Sequence, residues 1–414
     1  GETRYLDRLR ALLVSWLDAC PYAKGPNWSS PVEHGIRLIN WSAIWHLIGG
    51  ATSPMFDGEP GLVLRERWLD CIYQHIRFAR DNYSFYSSAD NHLIGEAAGV
   101  IVGALTWDQW QETRQLKEEA KAILEREALL QFHDDGVNAE QALCYHKFSL
   151  QFLLASALCA RANGEDFSAA FWSRIESATT FLAAVMDVRG NVPSFGDSDD
   201  GEVWQLSPGN TFNSYRSIVA IGAALFGRSD LQDKVTRVDP NQDPQVPWLA
   251  GLGAETSVRR QGLPTRFEAG GYVILGESLD SPDEWRITID CGPLGYNRIA
   301  GHGHADALSV LVSWGGVPML VDPGTYCYNA APEYRRFFRG THAHNTLVVD
   351  GEDQSEYGAS FLWLRDVNSA LLAVDDDQVH ASHDGYRRLA DPVTHHRRVF
   401  IEHGDVVVQD WIEC

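Results

Sequence analysis

The sequence predicts a chain of two parts, an all-helical N-terminal half followed by an antiparallel β domain. Three observations support this prediction. Apolar residues recur with a helical period up to about residue 227, a proline-rich segment follows, and beyond it apolar residues alternate with polar ones. With 414 residues the chain is also too long for one ordinary hydrophobic core, so two domains are expected.

The helical part, predicted over residues 1–227, is indicated by apolar residues at three- and four-residue steps. The pattern is clear at Leu6, Leu9 and Leu12, and it returns between Ile36 and Ile48. Polar loops separate these stretches, so we predict hairpins of helices whose loops gather at the ends. Further apolar stretches of helical length cover roughly residues 93–106, 148–163, 169–187 and 213–226.

A change of pattern separates the two parts. Residues 228–250 are predicted to form a linker, because three prolines lie close together and few residues are apolar. Beyond the linker, apolar and polar side chains alternate, most clearly over 285–291, which is typical of strands. The sequence therefore predicts stacked antiparallel sheets over residues 251–414.

The composition excludes several classes of protein. A formal net charge of −22 is unsuited to nucleic acid, whose phosphates require a basic surface. No run of about 18 apolar residues is present, so no membrane span is expected, and no signal peptide is visible. Seven scattered cysteines without a CxxC pair argue against a disulfide framework or a cysteine-bound zinc. An anionic ligand stays compatible with the charge because arginines cluster locally, as at Arg335, Arg336 and Arg339.

The segment 297–356 holds the densest set of chemically competent side chains. Two of them, His302 and His304, flank Gly303. In a strand, alternate residues share a face, so both imidazole rings would point the same way. The glycine between them would let another group approach the backbone closely.

The same segment also offers a candidate metal site. Asp322 follows one strand-like apolar run and His344 precedes another. The ends of three strands therefore bring a histidine, Asp322 and His344 to one point, and this donor set suits zinc. Two alternatives stay open: these residues only satisfy one another in a buried loop, or His342 replaces His344 as a ligand.

Two pairs of polar residues stand at the starts of predicted helices. Asn91 and His92 open an apolar helix, where backbone N–H groups and the helix dipole favour an anion. Alternatively, Asn91 only caps the helix. Tyr145 and His146 begin another helix after a polar loop, and the tyrosine can exchange protons if its pKa is depressed. Its alternative is a ring packed in the core with a satisfied hydroxyl.

Three motifs carry a resemblance to a known family. They are GHGHAD at 301–306, LVDPGTY at 320–326 and FRGTHAHNTLVVDGEDQ at 338–354. In this order they resemble the motifs of the heparinase II/III-like polysaccharide lyases. The resemblance is strong over roughly residues 295–356 and moderate over the N-terminal half, where the Asn-His and Tyr-His pairs match in order.

The resemblance implies both a fold and an activity. The fold is an incomplete α/α toroid followed by an antiparallel β-sandwich, with more sheet than the chain has before Cys414. The activity is that of a carbon–oxygen lyase, which cleaves uronic-acid polysaccharides of the glycosaminoglycan or alginate type by β-elimination and leaves a 4,5-unsaturated uronate. A periplasmic or secreted bacterial protein is implied as well. No motif in the sequence sets the polysaccharide or the oligomeric state.

β-Elimination needs three things: neutralisation of the C6 carboxylate, a base for the C5 proton and an acid for the departing O4. By the resemblance, Asn91 and His92 neutralise the carboxylate or supply a base. Tyr145, which lies 145 − 91 = 54 residues after Asn91, acts as acid and sometimes as base. His302 takes part in catalysis.

The resemblance also assigns the metal ligands. His304, Asp322 (322 − 304 = 18 residues later) and His344 would hold one divalent ion. Zinc is expected, manganese is the alternative, and the role is mainly structural. The residues predicted to contact the anionic polysaccharide are Arg37, His146, Lys147, Arg335 and Arg339.

Two other functions are compatible with these residues. One is a metal-dependent hydrolase whose ion activates water, and the other is a non-catalytic glycan-binding protein. Individual positions also have alternatives. Glu33 and Arg37, four apart on a helix, match a simple ion pair. Gly340 stands where the family usually has serine, and the acidic stretch 193–202 is expected to be a solvated loop rather than a calcium site.

Overall fold

The computed structural model describes residues 2–206, 212–249 and 257–414. Residues 250–256, which include the end of the predicted linker and the start of the predicted sheet domain, lie outside the described residues. The chain divides into two compact units. The first unit comprises residues 1–127, 151–168 and 202–205, and the second comprises 128–150, 169–201 and 206–414.

Ten α-helices precede the first strand in the described residues. They are α1 (Glu2–Ala19), α2 (Pro31–Leu47), α3 (Gly58–Asp81), α4 (Asn91–Thr106), α5 (Thr113–Gln131), α6 (Leu143–Ala162), α7 (Ala169–Val185), α8 (Ser214–Phe226), α9 (Ser229–Val238) and α10 (Val246–Leu249). The four apolar stretches predicted as helices correspond to α4, α6, α7 and α8, so these four predictions are confirmed. None of the described helices combines the length and the apolar composition needed to cross a membrane.

The first unit is built around a close contact between α2 and α4. Helix α4 is apolar and buried on nearly all sides. A Cβ atom on Gly99 would clash with the Cα atom of Gly35, and a Cβ on Gly35 would clash with the carbonyl group of Gly95. The two backbones therefore touch directly, and this contact fixes the position of Asn91 at the start of α4.

The described part of the segment predicted as a linker contains two helices, α9 and α10. Helix α9 buries Leu231 and Val235, which are four residues apart on one face. Just before the helix, the buried Arg228 pairs with Asp230 at 2.6 Å and with Glu176 at 2.9 Å. The sequence pattern did not reveal this helix for two reasons. The prolines that indicated a linker lie beyond the end of α9, and the apolar face of the helix is only two residues long.

The second unit contains antiparallel sheets. The strands are β1 (Arg266–Phe267), β2 (Tyr272–Glu277), β3 (Trp285–Asp290), β4 (Val310–Trp314), β5 (Val317–Leu320), β6 (Glu356–Ala359), β7 (Leu362–Arg365), β8 (Ser369–Val374), β9 (Gln378–His383), β10 (Thr394–Glu402) and β11 (Asp405–Glu413). One sheet has the order β1-β2-β3-β4-β5, a second has the order β11-β10-β9-β8, and β6 pairs with β7. A helix, α11 (Pro332–Arg339), lies in the chain between β5 and β6.

The two larger sheets share one hydrophobic core. Ile287 and Ile289 of β3 lie in this core with Val379 of β9 and Val399 of β10. The polar residues that alternate with them on β3 are also buried, because the other face of the sheet is covered; Arg286 donates to the carbonyl oxygen of Ala184 in α7. The predicted alternation over 285–291 is therefore confirmed, with both faces of the strand covered.

Four buried histidines are held neutral. Burial is the main cause that lowers the pKa of His34 to about 4, of His75 to about 2, of His146 to about 4 and of His383 to about 3. In the unfolded chain each ring returns to the ordinary value near 6.5. Below that pH the unfolded chain binds more protons than the folded protein does.

We therefore predict that the folded protein loses stability as the pH falls from about 6.5 towards 4. Each of the four histidines contributes a loss of up to about 2 kcal/mol between pH 7 and pH 5, because protonation of the unfolded chain is not matched in the fold. Urea unfolding followed by circular dichroism at the two pH values measures the effect. The His46→Ala variant, altered at an exposed ring, should keep the same pH dependence. Equal urea midpoints at pH 7 and pH 5 would contradict the prediction.

Candidate active site and metal-binding cluster

Two of the predicted catalytic residues lie in direct contact. Tyr145 belongs to the first turn of α6, and His302 belongs to the loop between β3 and β4. Their rings are stacked, with centroids 3.7 Å apart and an interplanar angle of 19°. The structure therefore brings together a phenol and an imidazole that are far apart in the sequence.

The environment of Tyr145 keeps its hydroxyl protonated. The hydroxyl lies 2.9 Å from the Tyr328 hydroxyl and 3.2 Å from Oδ2 of Asp199. Burial, followed by the charges of these neighbours, raises the pKa of Tyr145 well above its ordinary value. A role as base would need a depressed pKa, so in this environment the hydroxyl stays protonated and does not act as a base at neutral pH. Neither Tyr328 nor Asp199 was singled out as a partner from the sequence.

The ring of His302 lies between two carboxylates. Its Nδ1 lies 3.0 Å from Oδ2 of Asp197, and its Nε2 lies 3.7 Å from Oε2 of Glu140. Both carboxylates are buried. The ring therefore has a fixed orientation, with Nε2 as the nitrogen opposite Asp197.

Asp197 is the centre of a buried polar network, and its side chain has no exposed surface. It accepts hydrogen bonds from His302, from Nε2 of His304 at 2.9 Å and from both terminal nitrogens of Arg335, one of them at 2.6 Å. Burial would raise the pKa of Asp197, but these hydrogen bonds outweigh it and hold the pKa well below its usual range. The expectation that 193–202 is a solvated loop is therefore wrong for this residue.

The predicted metal ligands also lie together. His304, Asp322 and His344 each offer a ligand atom, and these atoms are all within 4.8 Å of one another. Oδ2 of Asp322 lies 2.7 Å from Nδ1 of His344. Burial lowers the pKa of His344, but the hydrogen bond and charge of Asp322 outweigh it and raise the pKa above the ordinary value.

The donor set fits a divalent cation. Nδ1 of His304 and Nε2 of His344 are buried and have no hydrogen-bond partner in the part of the chain that the structure describes. An imidazole nitrogen in this situation is costly unless it binds something. Two such nitrogens beside the carboxylate of Asp322 match the ligands that zinc prefers. His342 is exposed and lies 3.2 Å from the carbonyl oxygen of Gly351, outside this cluster.

The local structure around these ligands differs from the expectation of three strand ends. Asp322 does follow a strand, β5, but His304 lies in an irregular loop and His344 follows a single helical turn at Thr341–Ala343. The close approach expected at Gly303 is confirmed, because a Cβ atom there would clash with the carbonyl oxygen of Leu294. Tight loop packing, rather than strand alternation, therefore orients the histidines.

The two predicted substrate arginines of α11 are wholly enclosed. Arg335 binds Asp197 and the carbonyl oxygen of Ser360 at 2.8 Å. Arg339 donates to five carbonyl oxygens, among them that of Gly303 at 3.0 Å. Burial, together with the charge of Arg335, lowers the pKa of Arg339 to about 10. With 0% of either residue exposed, both guanidinium groups are committed to holding loops.

The other predicted substrate residues are engaged in similar contacts. His146 is buried, and its Nε2 lies 3.0 Å from the carbonyl oxygen of Ala178. Lys147 donates to the carbonyl oxygen of Gly201 at 3.1 Å and lies over the ring of Tyr215. In the first unit, Arg37 donates to the carbonyl oxygen of Asn27 at 2.7 Å and also makes the predicted pair with Glu33, at 3.7 Å.

Asn91 and His92 stand at the start of α4 in the first unit, as the sequence predicted. The cap of this helix is Asp90, whose carboxylate accepts a hydrogen bond from the backbone N–H of His92 at 3.1 Å. The alternative that Asn91 is itself the cap is therefore wrong. Asn91 is almost fully buried and His92 is half-buried.

Comparison with known proteins agrees with this architecture. A curated heparin-sulfate lyase from Bacteroides stercoris is 22% identical over 298 residues, which are 70% of this chain and 40% of that protein. A solved heparinase III, the BT4657 gene product, matches with a TM-score of 0.66 and 19% identity, over 99% of this chain and 61% of its own. Another solved heparinase III matches with a TM-score of 0.69 and 16% identity, over 98% and 59%.

The chain spans two fifths of the curated relative and about three fifths of these solved chains. At such identities the structural likeness establishes the fold, and it confirms the predicted class of an α/α toroid followed by antiparallel sheets. The family model described as heparinase II/III N-terminus matches residues 1–220, and that described as heparinase II/III-like, C-terminal matches 259–414. The chain therefore belongs to the heparinase II/III family.

Proposed function

We propose that this protein is a polysaccharide lyase that cleaves a uronic-acid glycosaminoglycan by β-elimination. The observation that carries the proposal is the stacked pair of Tyr145 and His302, 3.7 Å apart. Elimination needs a proton donor and a proton acceptor near the same two carbon atoms, and a protonated phenol beside an imidazole supplies both. Membership of the heparinase II/III family supports the same reaction.

The roles follow from the two environments. Tyr145 donates a proton to O4 as the glycosidic bond breaks, because its hydroxyl is held protonated. His302 accepts the C5 proton through Nε2. Since the two rings are stacked, they serve a substrate whose C5 proton and O4 lie on one face of the sugar. For Asn91 and His92 we propose the roles that the family resemblance implies, which are neutralisation of the C6 carboxylate or supply of a base.

The substrate we propose is heparan sulfate or heparin rather than alginate. One relative is named a heparin-sulfate lyase, and two solved chains are named heparan sulfate lyases. The elimination would leave a 4,5-unsaturated uronate at the new end of the chain. We propose a secreted or periplasmic location, because such a polymer lies outside the cytoplasm.

We propose that His304, Asp322 and His344 hold one divalent ion, zinc in preference to manganese. When bound, the ion would supply a fixed positive charge that ties three chain segments together. The chain's own residues carry the proton transfers, so the cluster has a structural role. We propose a supporting role, without contact to the polysaccharide, for the three enclosed side chains of Arg335, Arg339 and His146. Lys147 is buried as well and is proposed to have the same supporting role, so Arg37 remains the candidate for contact with the anionic chain.

A panel of polysaccharides tests the proposed function. Heparan sulfate, heparin, chondroitin sulfate, hyaluronan and alginate would be incubated with the protein, and the ultraviolet absorbance of the conjugated product followed. We expect an increase with heparan sulfate or heparin. New reducing ends without this absorbance would identify a hydrolase instead, and binding without either product would identify a glycan-binding protein.

Replacement of Tyr145 by phenylalanine should lower kcat by about 10²–10⁴ with little change in binding, because the proton donor to O4 is lost. Steady-state kinetics on the best polymer of the panel measure this loss. Tyr73→Phe is the matched control, since it removes a hydroxyl bonded to Glu112 at 2.7 Å outside the site. Retention of more than about a tenth of the wild-type kcat in Tyr145→Phe would rule out the assigned role.

The His304→Ala variant should lose the bound metal and unfold at a lower temperature, because binding of the ion stabilises only the folded protein. Elemental analysis of purified protein should find about one equivalent in the wild type and far less in the variant. His342→Ala, altered at the exposed neighbouring histidine, should keep the metal. If His342→Ala loses the metal while His304→Ala keeps it, the assigned ligand set is wrong.

A further inference from the structure

We propose that Asp197 is a positioning residue that sets the tautomers of His302 and His304 at the same time, and so couples the catalytic histidine to the metal cluster. This inference rests on the roles proposed above for the two histidines. It concerns a residue in a different segment of the chain, 302 − 197 = 105 positions before His302.

The hydrogen bonds between Asp197 and the two histidines have a defined direction. One oxygen of Asp197 lies 3.0 Å from Nδ1 of His302, and the other lies 2.9 Å from Nε2 of His304. Both terminal nitrogens of Arg335 face the two oxygens of Asp197, so the carboxylate is one half of an ion pair, and an ionised carboxylate can only accept hydrogen bonds. The nitrogen that faces it must therefore carry the proton in each ring.

The nitrogen on the opposite side of each ring then carries the lone pair. In neutral His302 the lone pair is on Nε2, the nitrogen proposed to accept the C5 proton. In neutral His304 the lone pair is on Nδ1, the buried nitrogen that has no hydrogen-bond partner among the described residues. One carboxylate thus assigns opposite tautomers to two histidines that are only two residues apart, and each tautomer is the one its function requires.

Asp197 is itself held in place by several hydrogen bonds. The guanidinium of Arg335 binds both carboxylate oxygens, and Arg335 is tied to the carbonyl oxygen of Ser360 at 3.0 and 2.8 Å. The backbone N–H of Asp197 donates to the carbonyl oxygen of His302 at 2.9 Å. The next residue, Ser198, donates its N–H to Oγ1 of Thr325 at 2.7 Å. The backbone that carries the carboxylate is therefore fixed both to the segment of the two histidines and to the segment that follows Asp322.

Asp197 should affect both the proton transfer and the metal cluster. A change at Asp197 should weaken metal binding through His304 and impair proton transfer through His302, although Asp197 is assigned to neither site. Loss of a residue that orients a metal-bound histidine typically costs about 10–100-fold in metal affinity or activity. Binding of a metal ion to His304 should likewise change the NMR signals of the His302 ring.

The test uses Asp197→Asn in the full chain. The carboxamide keeps the size of the side chain but has one accepting oxygen and one donating NH2 group, so it cannot accept from both histidines. We expect the dissociation constant for Zn²⁺ to rise about 10–100-fold. In ¹⁵N spectra of labelled protein, at least one of the His302 and His304 rings should leave its wild-type tautomer, with signals assigned by their loss in His302→Ala and His304→Ala.

Asp243→Asn is the matched control. Asp243 is also a buried carboxylate beside an arginine, Arg216 at 3.5 Å, and it accepts from Ser217 at 3.0 Å, but it touches neither histidine. This variant should keep the wild-type zinc affinity and both tautomers, whatever stability it loses. If folded Asp197→Asn also keeps them, the proposal is overturned.

A measurement on the wild type covers the case in which Asp197→Asn does not fold. Titration of the metal-free protein with Zn²⁺ should shift the His302 signals, whereas His383 and His395, bonded to each other in the second sheet, should stay unchanged. A stationary His302 would overturn the coupling. None of these readouts uses a polysaccharide, so a failure of the lyase assay would refute the proposed function and leave this inference standing or falling separately.

Discussion

The contact between Asp197 and Arg335 is the interaction on which the rest of the candidate site depends. Both side chains are fully buried, and taking two charges out of water costs several kcal/mol for each ion. Such a pair is tolerated only when the geometry is good and the remaining hydrogen-bonding capacity is used. Here two donors from Arg335 and one each from His302 and His304 use it. The pair therefore restricts the surrounding loops to one arrangement.

The sheets supply the rigidity that these loops lack. His302, the proposed base, and His304, a proposed metal ligand, lie in the loop between β3 and β4, whose strands are anchored in the shared core of the two sheets. At Gly303 that loop is packed directly against the backbone of Leu294, and its carbonyl oxygen accepts from Arg339 and from Trp363. Functional side chains on irregular backbone thus gain fixed positions from a regular scaffold.

The elements that the sequence predicted well are those with local signals. The 3.6-residue period located α4 and α8, and the motifs brought His304, Asp322 and His344 into one cluster. Asp197 gave no local signal, because an aspartate in an acidic loop is usually solvated. Its burial is stabilised by Arg335, which lies 138 residues later, and no pattern within one segment can reveal such a pair.

The protonation state of Tyr145 determines which residues can carry the two proton transfers of the proposed reaction. A tyrosine with a depressed pKa could both take and return a proton, and a single residue would then suffice. Burial and the neighbouring Tyr328 and Asp199 act in the opposite direction and raise its pKa, so the phenol can give a proton but is a poor acceptor at neutral pH. A separate base is then required. His302, stacked on the phenol and hydrogen-bonded to Asp197, is the base that we propose, with Nε2 as the accepting nitrogen.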